Sequence, residues 1–230
     1  MRPVIFLIVL GMACGSLQAL PSDSAVPSKM GQTTEYQSKD YTYLLGMPGF
    51  TDLALKMHFT LYQNYVKNAN QLQAMLREMG LTDKTMSIEY GALKRRFNWE
   101  FDGMRLHELY FDNLGGKVPM DKSSALYQQI MKDFGSFPQW KKEFISTGSI
   151  RGIGWAILYR DPQNGHLINV WVEEHDIGHL AGGQPLLVMD VFEHAYMPQF
   201  GLDKAKYIDT FFENINWPEV MKRYDLSAKR

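Results

Sequence analysis

Two long stretches with helical periodicity, separated by a short connection, constrain this chain more than any other feature. In the first, Leu55, His58, Tyr62, Tyr65, Ala69, Leu72 and Leu76 recur at alternating three- and four-residue steps, the spacing that lines up one face of an α-helix. Thr51 and Asp52 can cap its start, and the pattern predicts a helix running to about Met79 with Gly80 as its stop. In the second, Leu93, Phe97, Met104, His107, Tyr110, Phe111 and Leu114 mark the apolar face of a helix from about Ile88 to Asn113, ended by Gly115-Gly116. Joined only by Leu81 to Ser87, the two helices are expected to pack antiparallel as a hairpin. His58 and His107 then both point inward. Either one alone reads as a hydrogen-bonded core residue, the commoner fate of a buried histidine.

The rest of the chain changes rhythm. Ser123 to Thr147 reads as two shorter helices broken at Gly135-Ser136 and Pro138. After Gly154, Trp155 to Tyr159 and His166 to Val172 are rich in aromatic and branched residues around the turn Asp161-Pro-Gln-Asn-Gly165, a β-hairpin. A third strand, Pro185 to Asp190, follows a loop that contains His175 and His179, and helical periodicity returns from Asp203 and closes around Trp217. The expected fold is α+β. An N-terminal helical hairpin (41–117) precedes a C-terminal domain (118–230) with a three-stranded antiparallel sheet and surrounding helices.

With 45% hydrophobic residues in 230, there is enough apolar side chain for a sizeable core. The formal charge of −1 and the lack of any basic run exclude a nucleic-acid footprint and a polybasic membrane patch. Partners are expected to be small molecules or another copy of the chain. Residues 1–19 carry Arg2, the apolar stretch Val4 to Val9 and Leu17-Gln18-Ala19, the pattern of a secretory signal cleaved after Ala19. That apolar run is too short for a membrane span, so a periplasmic or secreted location is expected. The only cysteine, Cys14, falls inside the signal, so any metal must be held by imidazoles and carboxylates. Gly11 stands where lipoprotein signals usually carry Leu, which disfavours acylation of Cys14. Residues 20–40, rich in Ser, Thr, Pro and Gln, read as a flexible lead-in.

Asp190-Val-Phe-Glu-His194 places a carboxylate and an imidazole at the end of a buried strand, where both can reach one ion. Added to His58 and His107, they make a set of three histidines and one carboxylate, which suits iron or manganese better than structural zinc.

These residues carry a resemblance. Asp190-Val-Phe-Glu-His-Ala-Tyr196 resembles the Asp-x-Trp-Glu-His-Ala-Tyr signature of the iron/manganese superoxide dismutases. His107-Glu-Leu-Tyr-Phe-Asp-Asn-Leu114, Phe134-Gly-Ser-Phe137 with Phe144, Gly152-Ile-Gly-Trp-Ala156 and Asn216-Trp217 are similar to further family stretches in the same order, from about Tyr41 to Tyr224. The resemblance implies one iron or manganese ion per subunit, bound by His58, His107, Asp190 and His194. It also implies superoxide as substrate and a homodimer or homotetramer in which Glu193 reaches the partner's His194. Trp155 would line the pocket. His175 would stand where many members use Gln to hydrogen-bond the metal's solvent, since Gly103 occupies the alternative Gln position on the second helix. A histidine there resembles iron-type and metal-promiscuous members.

The first helix departs from the family pattern. Members show His-x-x-x-His followed four residues later by a gateway Tyr, whereas this chain reads His58-Phe-Thr-Leu-Tyr-Gln-Asn-Tyr65-Val66, one residue short. Tyr62 occupies the second histidine's place. The missing residue is expected to swing Tyr65 relative to His58 unless the helix is distorted. The Tyr-Val context favours Tyr65 as gateway, with Tyr62 the alternative. Phe192 replaces the usual Trp and Met197 a second Tyr. The altered helix leaves a slow or non-catalytic metal-binding homologue as the competing reading.

Overall fold

The computed structural model describes residues 34–229. The expected signal over 1–19, with Cys14, and most of the expected lead-in lie outside the described residues. Thr51 Oγ1 accepts the N–H of Ala54 at 3.3 Å and caps α1 (Asp52–Leu81) by satisfying one of the donors a helix start leaves open. Gly80 does not stop this helix. Asp83 takes the left-handed conformation at φ 54°, and the Lys84 N–H bonds the Met79 carbonyl at 2.9 Å, a Schellman stop built without glycine.

Ser87 Oγ accepts the Tyr90 N–H at 3.1 Å and starts α2 (Ile88–Asp112). Its first half rests on α1 with Leu93 and Phe97 half-buried. From Glu100 onward α2 is buried on several sides, at Gly103, Met104, Leu106, His107, Glu108, Tyr110 and Phe111, because the sheet covers the face that α1 leaves free. Ser124 and Ser136 cap α3 (Ala125–Phe134) and α4 (Phe137–Gly148). Gly135, at φ 78°, makes the break. Pro138 sits in the first turn of α4, where its missing N–H leaves no bond unmade.

β1 (Gly154–Arg160), β2 (Leu167–Glu173) and β3 (Gln184–Asp190) form an antiparallel sheet in the order β2-β1-β3. Central β1 is buried from Trp155 to Tyr159. Its register sets Trp155 opposite Asp190 on β3 and Val172 on β2. The outer edge of β3 is closed by side chains. Asn113 Oδ1 accepts the Val188 N–H at 2.9 Å, Asn113 Nδ2 donates to the Val188 carbonyl at 3.2 Å, and Arg223 donates to the Leu186 carbonyl at 3.0 Å. A sheet edge that would otherwise offer itself to another chain is thereby satisfied within this one.

α5 (Glu193–Phe200) begins almost directly after β3, and α6 (Lys204–Glu213) and α7 (Trp217–Ser227) complete the chain. The hairpin, the sheet and the last three helices feed one cluster of buried apolar residues, so the segments set off at residues 117 and 118 share a core. The end of the expected lead-in is docked rather than loose. Asn70 on α1 takes the Tyr36 N–H and gives a hydrogen bond to its carbonyl, both at 2.8 Å, and Lys39 donates its N–H to the Tyr62 hydroxyl at 3.0 Å. Side chains that mimic a strand partner hold backbone that has no periodicity of its own. No described helix is long and apolar enough to cross a membrane.

Candidate metal centre

His58 comes from α1, His107 from α2, Asp190 from the end of β3 and His194 from the first turn of α5. Four elements thus meet at one point, and one donor atom from each of the four residues lies within 4.8 Å of the others. Asp190 divides its oxygens. Oδ1 accepts the Phe192 N–H at 2.9 Å, while Oδ2 faces His58 Nε2 and His194 Nε2 at 3.1 Å each and His107 Nε2 at 3.5 Å. Burial alone would push the Asp190 carboxyl up, but the imidazoles of His194 and His58 outweigh it and hold the group ionised well below the usual range.

The protonation of His107 follows from its neighbours. Nδ1 is 2.6 Å from the Gly103 carbonyl, which can only accept, so Nδ1 carries the proton. Burial holds this imidazole well below its ordinary pKa, so the ring is neutral and Nε2 is a bare lone pair. That atom is fully buried and has no hydrogen-bond partner. A buried polar atom without a partner is costly, and here it faces a carboxylate that likewise cannot donate. A cation among these atoms satisfies both. Three imidazole nitrogens and one carboxylate oxygen are donors suited to iron or manganese, so the residues fit the metal.

Tyr65 lies beside this cluster. α1 is regular throughout, and seven residues amount to nearly two full turns, bringing Tyr65 back to within about 20° of the direction of His58. The expected swing therefore does not occur, because the shorter spacing suits an undistorted α-helix. The Tyr65 ring stacks on His107 with centroids 5.0 Å apart, and its hydroxyl meets His175 Nε2 at 2.8 Å. His175 Nδ1 accepts from Trp155 Nε1 at 3.0 Å. An indole N–H only donates, so Nδ1 is bare. Burial pulls the His175 pKa down to about 4, so the ring is neutral, its proton sits on Nε2, and it donates to the Tyr65 oxygen. Tyr65 keeps its own proton to give elsewhere, since burial and nearby Asp190 push its phenol well above the usual value.

Gly103 makes this arrangement possible. A Cβ at that position would lie 2.8 and 2.9 Å from two ring carbons of Tyr65 and 3.2 Å from His175. Trp155 packs edge-on to His107 with centroids 5.0 Å apart. Phe192 stacks on both His175 and His194, at 4.5 and 5.1 Å. Tyr62 is directed elsewhere: its hydroxyl donates to Glu108 Oε1 at 3.1 Å and accepts the Lys39 N–H. Glu193 is exposed beside His194. Two supports had no signal in the sequence. Tyr207 donates its hydroxyl to the Asp190 carbonyl at 2.5 Å, and Asn113 ties the end of α2 to β3. Tyr207 is one of several aromatic residues on α6, and only the packing distinguishes it.

Fold and centre together present a candidate metal site of three imidazoles and one carboxylate. A match to the C-terminal domain of the iron/manganese superoxide dismutases covers residues 122–223. The chain is 37% identical over 186 residues to an iron superoxide dismutase of Cupriavidus metallidurans, an alignment covering 78% of this chain and 92% of that protein. It is 32% identical over 198 residues to an iron superoxide dismutase of Aquifex aeolicus, covering 84% and 92%. To a manganese superoxide dismutase of Halobacterium salinarum it is 34% identical over 191 residues, covering 83% and 94%. This chain belongs to the iron/manganese superoxide dismutase family.

Proposed function

We propose that this protein disproportionates superoxide to dioxygen and hydrogen peroxide, using one iron or manganese ion held by His58, His107, Asp190 and His194. The observation that carries this reading is the buried, unpartnered lone pair of His107 Nε2 beside an ionised Asp190, in a chain related to enzymes of that activity. When bound, the metal supplies one-electron redox chemistry between two oxidation states, so that one superoxide loses an electron and the next gains one. The reduced substrate needs two protons to leave as hydrogen peroxide. Tyr65 keeps a phenolic proton beside the centre, and the hydrogen bond from His175 Nε2 leaves that proton free to be donated. Trp155 holds His175 in the required tautomer. Apolar and aromatic walls from Phe192, Trp155 and Tyr65 limit access for bulk water.

His175, with Gly103 on α2, favours iron or the use of either metal, as in the members it resembles. The signal-like pattern over 1–19 supports export to the periplasm or beyond, and exposed Glu193 next to His194 supports pairing of two subunits at this edge. Metal analysis and a superoxide-consumption assay on protein loaded separately with each ion test the reading. Activity with one or both ions is expected. Stoichiometric metal without turnover would leave a metal-binding homologue. His107→Ala should abolish metal retention, and full retention would remove α2 from the site.

A further inference from the structure

His179 lies four residues beyond His175 in the loop between β2 and β3. Its Nε2 is 2.8 Å from the backbone carbonyl of His175, and its Nδ1 is 2.6 Å from the Tyr159 hydroxyl. The carbonyl can only accept, so Nε2 donates to it, and Nδ1 is left to pair with the phenol. Asp102 Oδ2 stands 4.0 Å from the same Nε2, too far to compete with the carbonyl. Trp155 and Tyr159 are four residues apart on β1 and so share one face of the strand. The indole therefore grips the side chain of His175, while the phenol grips its backbone through His179.

The turn that presents His175 needs such restraint. Glu174, immediately before it, is left-handed at φ 48°, a conformation that a residue with a Cβ keeps only when its surroundings impose it. Trp99 Nε1 donates to Glu174 Oε2 at 2.9 Å, and the Glu174 N–H bonds the Ile153 carbonyl at 2.9 Å. These contacts hold the residue before His175, and His179 holds the far side.

We propose that His179 is a positioning residue: by holding the His175 carbonyl against β1, it sets where His175 Nε2 meets the Tyr65 hydroxyl. Its effect on turnover rests on the reading of this chain as a dismutase; its effect on geometry does not. His179→Leu in the metal-loaded full chain is expected to lower kcat/KM about tenfold at unchanged metal content, the scale of a sub-ångström misplacement. In its crystal structure the Tyr65–His175 contact, 2.8 Å here, should lengthen beyond hydrogen-bonding range. In a Tyr65→Phe background the same substitution should cost less than about twofold, since both changes act on one path. His179→Gln, which keeps a donor near Nε2, should restore most of the activity. Tyr159→Phe, which removes only one oxygen, should show a smaller loss in the same direction and stands in if the leucine variant does not fold. Equal losses in both backgrounds, or an unmoved Tyr65–His175 contact, would overturn the proposal. If the unaltered protein consumes no superoxide with either metal, the dismutase reading fails, while the crystallographic distance still decides the role of His179.

Discussion

Trp155 can only donate and the Gly103 carbonyl can only accept, and these two partners determine the protonation of the histidines they touch. Tyr65→Phe removes the hydroxyl that His175 supports and should lower kcat about fivefold, roughly the worth of one hydrogen bond of about 1 kcal/mol. Tyr62→Phe should leave turnover within about twofold and instead lower stability by about 1–2 kcal/mol, because buried Glu108 loses a donor. Stopped-flow superoxide decay and urea denaturation on the two variants separate these effects. The reverse pattern would make Tyr62 the gateway. Gly103→Ala sets helix propensity against sterics. Alanine gains about 1 kcal/mol in a helix interior, but a Cβ under 3 Å from the Tyr65 ring costs about 1–3 kcal/mol of overpacking. A net loss of stability and activity is expected, and a more stable, fully active variant would show that Tyr65 can move freely.

At the scale of elements, the centre depends on α2 and β3 keeping their alignment, and Asn113 is the clasp. Its amide serves both polar groups of Val188, 75 residues away in sequence, and also the Tyr110 carbonyl. Asn113→Ala would strand buried backbone groups on the edge of β3. A loss of about 3 kcal/mol in urea unfolding is expected, at about 1–3 kcal/mol per unsatisfied group. Metal affinity should fall too, because His107 sits on one side of the clasp and Asp190 on the other. A variant with unchanged stability would mean that water or Arg223, 3.4 Å from Asn113 Oδ1, takes over its role.

For the whole molecule, the buried imidazoles set the response to acid. His175 has its pKa lowered from 6.5 to about 4 in the folded state, and burial lowers those of His58 and His107 as well. Between those two values the unfolded chain binds more protons than the native one, so stability present above about pH 6.5 is lost as pH falls towards 4. His175 alone accounts for a loss on the order of 3 kcal/mol. Asp190, held ionised by its histidines, adds a loss of the same sign at lower pH. Urea midpoints measured from neutral to acid pH should fall steadily, and a flat profile would contradict neutral buried histidines. The proposed pairing of subunits is tested at Glu193: if it holds, light scattering should give a multimeric mass that Glu193→Ala shifts towards smaller species, and a monomeric or unchanged mass would count against a role for Glu193 in assembly.

The hairpin, the sheet and the four converging residues were legible in the sequence because their signals are local. Helical spacing in α1 and α2, strand and turn composition in β1 and β2, and the short Asp190 to His194 motif each need only neighbouring residues. His58 was legible as an inward histidine, but its fit beside Tyr65 was not, since the family's longer spacing suggested a mismatch that a regular helix removes. Short α5 and the docking of Tyr36 and Lys39 were hidden for the same reason in reverse: their stability comes from distant partners. The sequence by itself determined which donors this protein owns and on which helices and strands they stand. Only the tertiary structure decided which tyrosine faces them, which nitrogen of His107 and of His175 carries the proton, and that Asn113 and Tyr207 hold the arrangement. Those outcomes rest on directional hydrogen bonds between residues far apart in the chain, and no local pattern encodes their geometry.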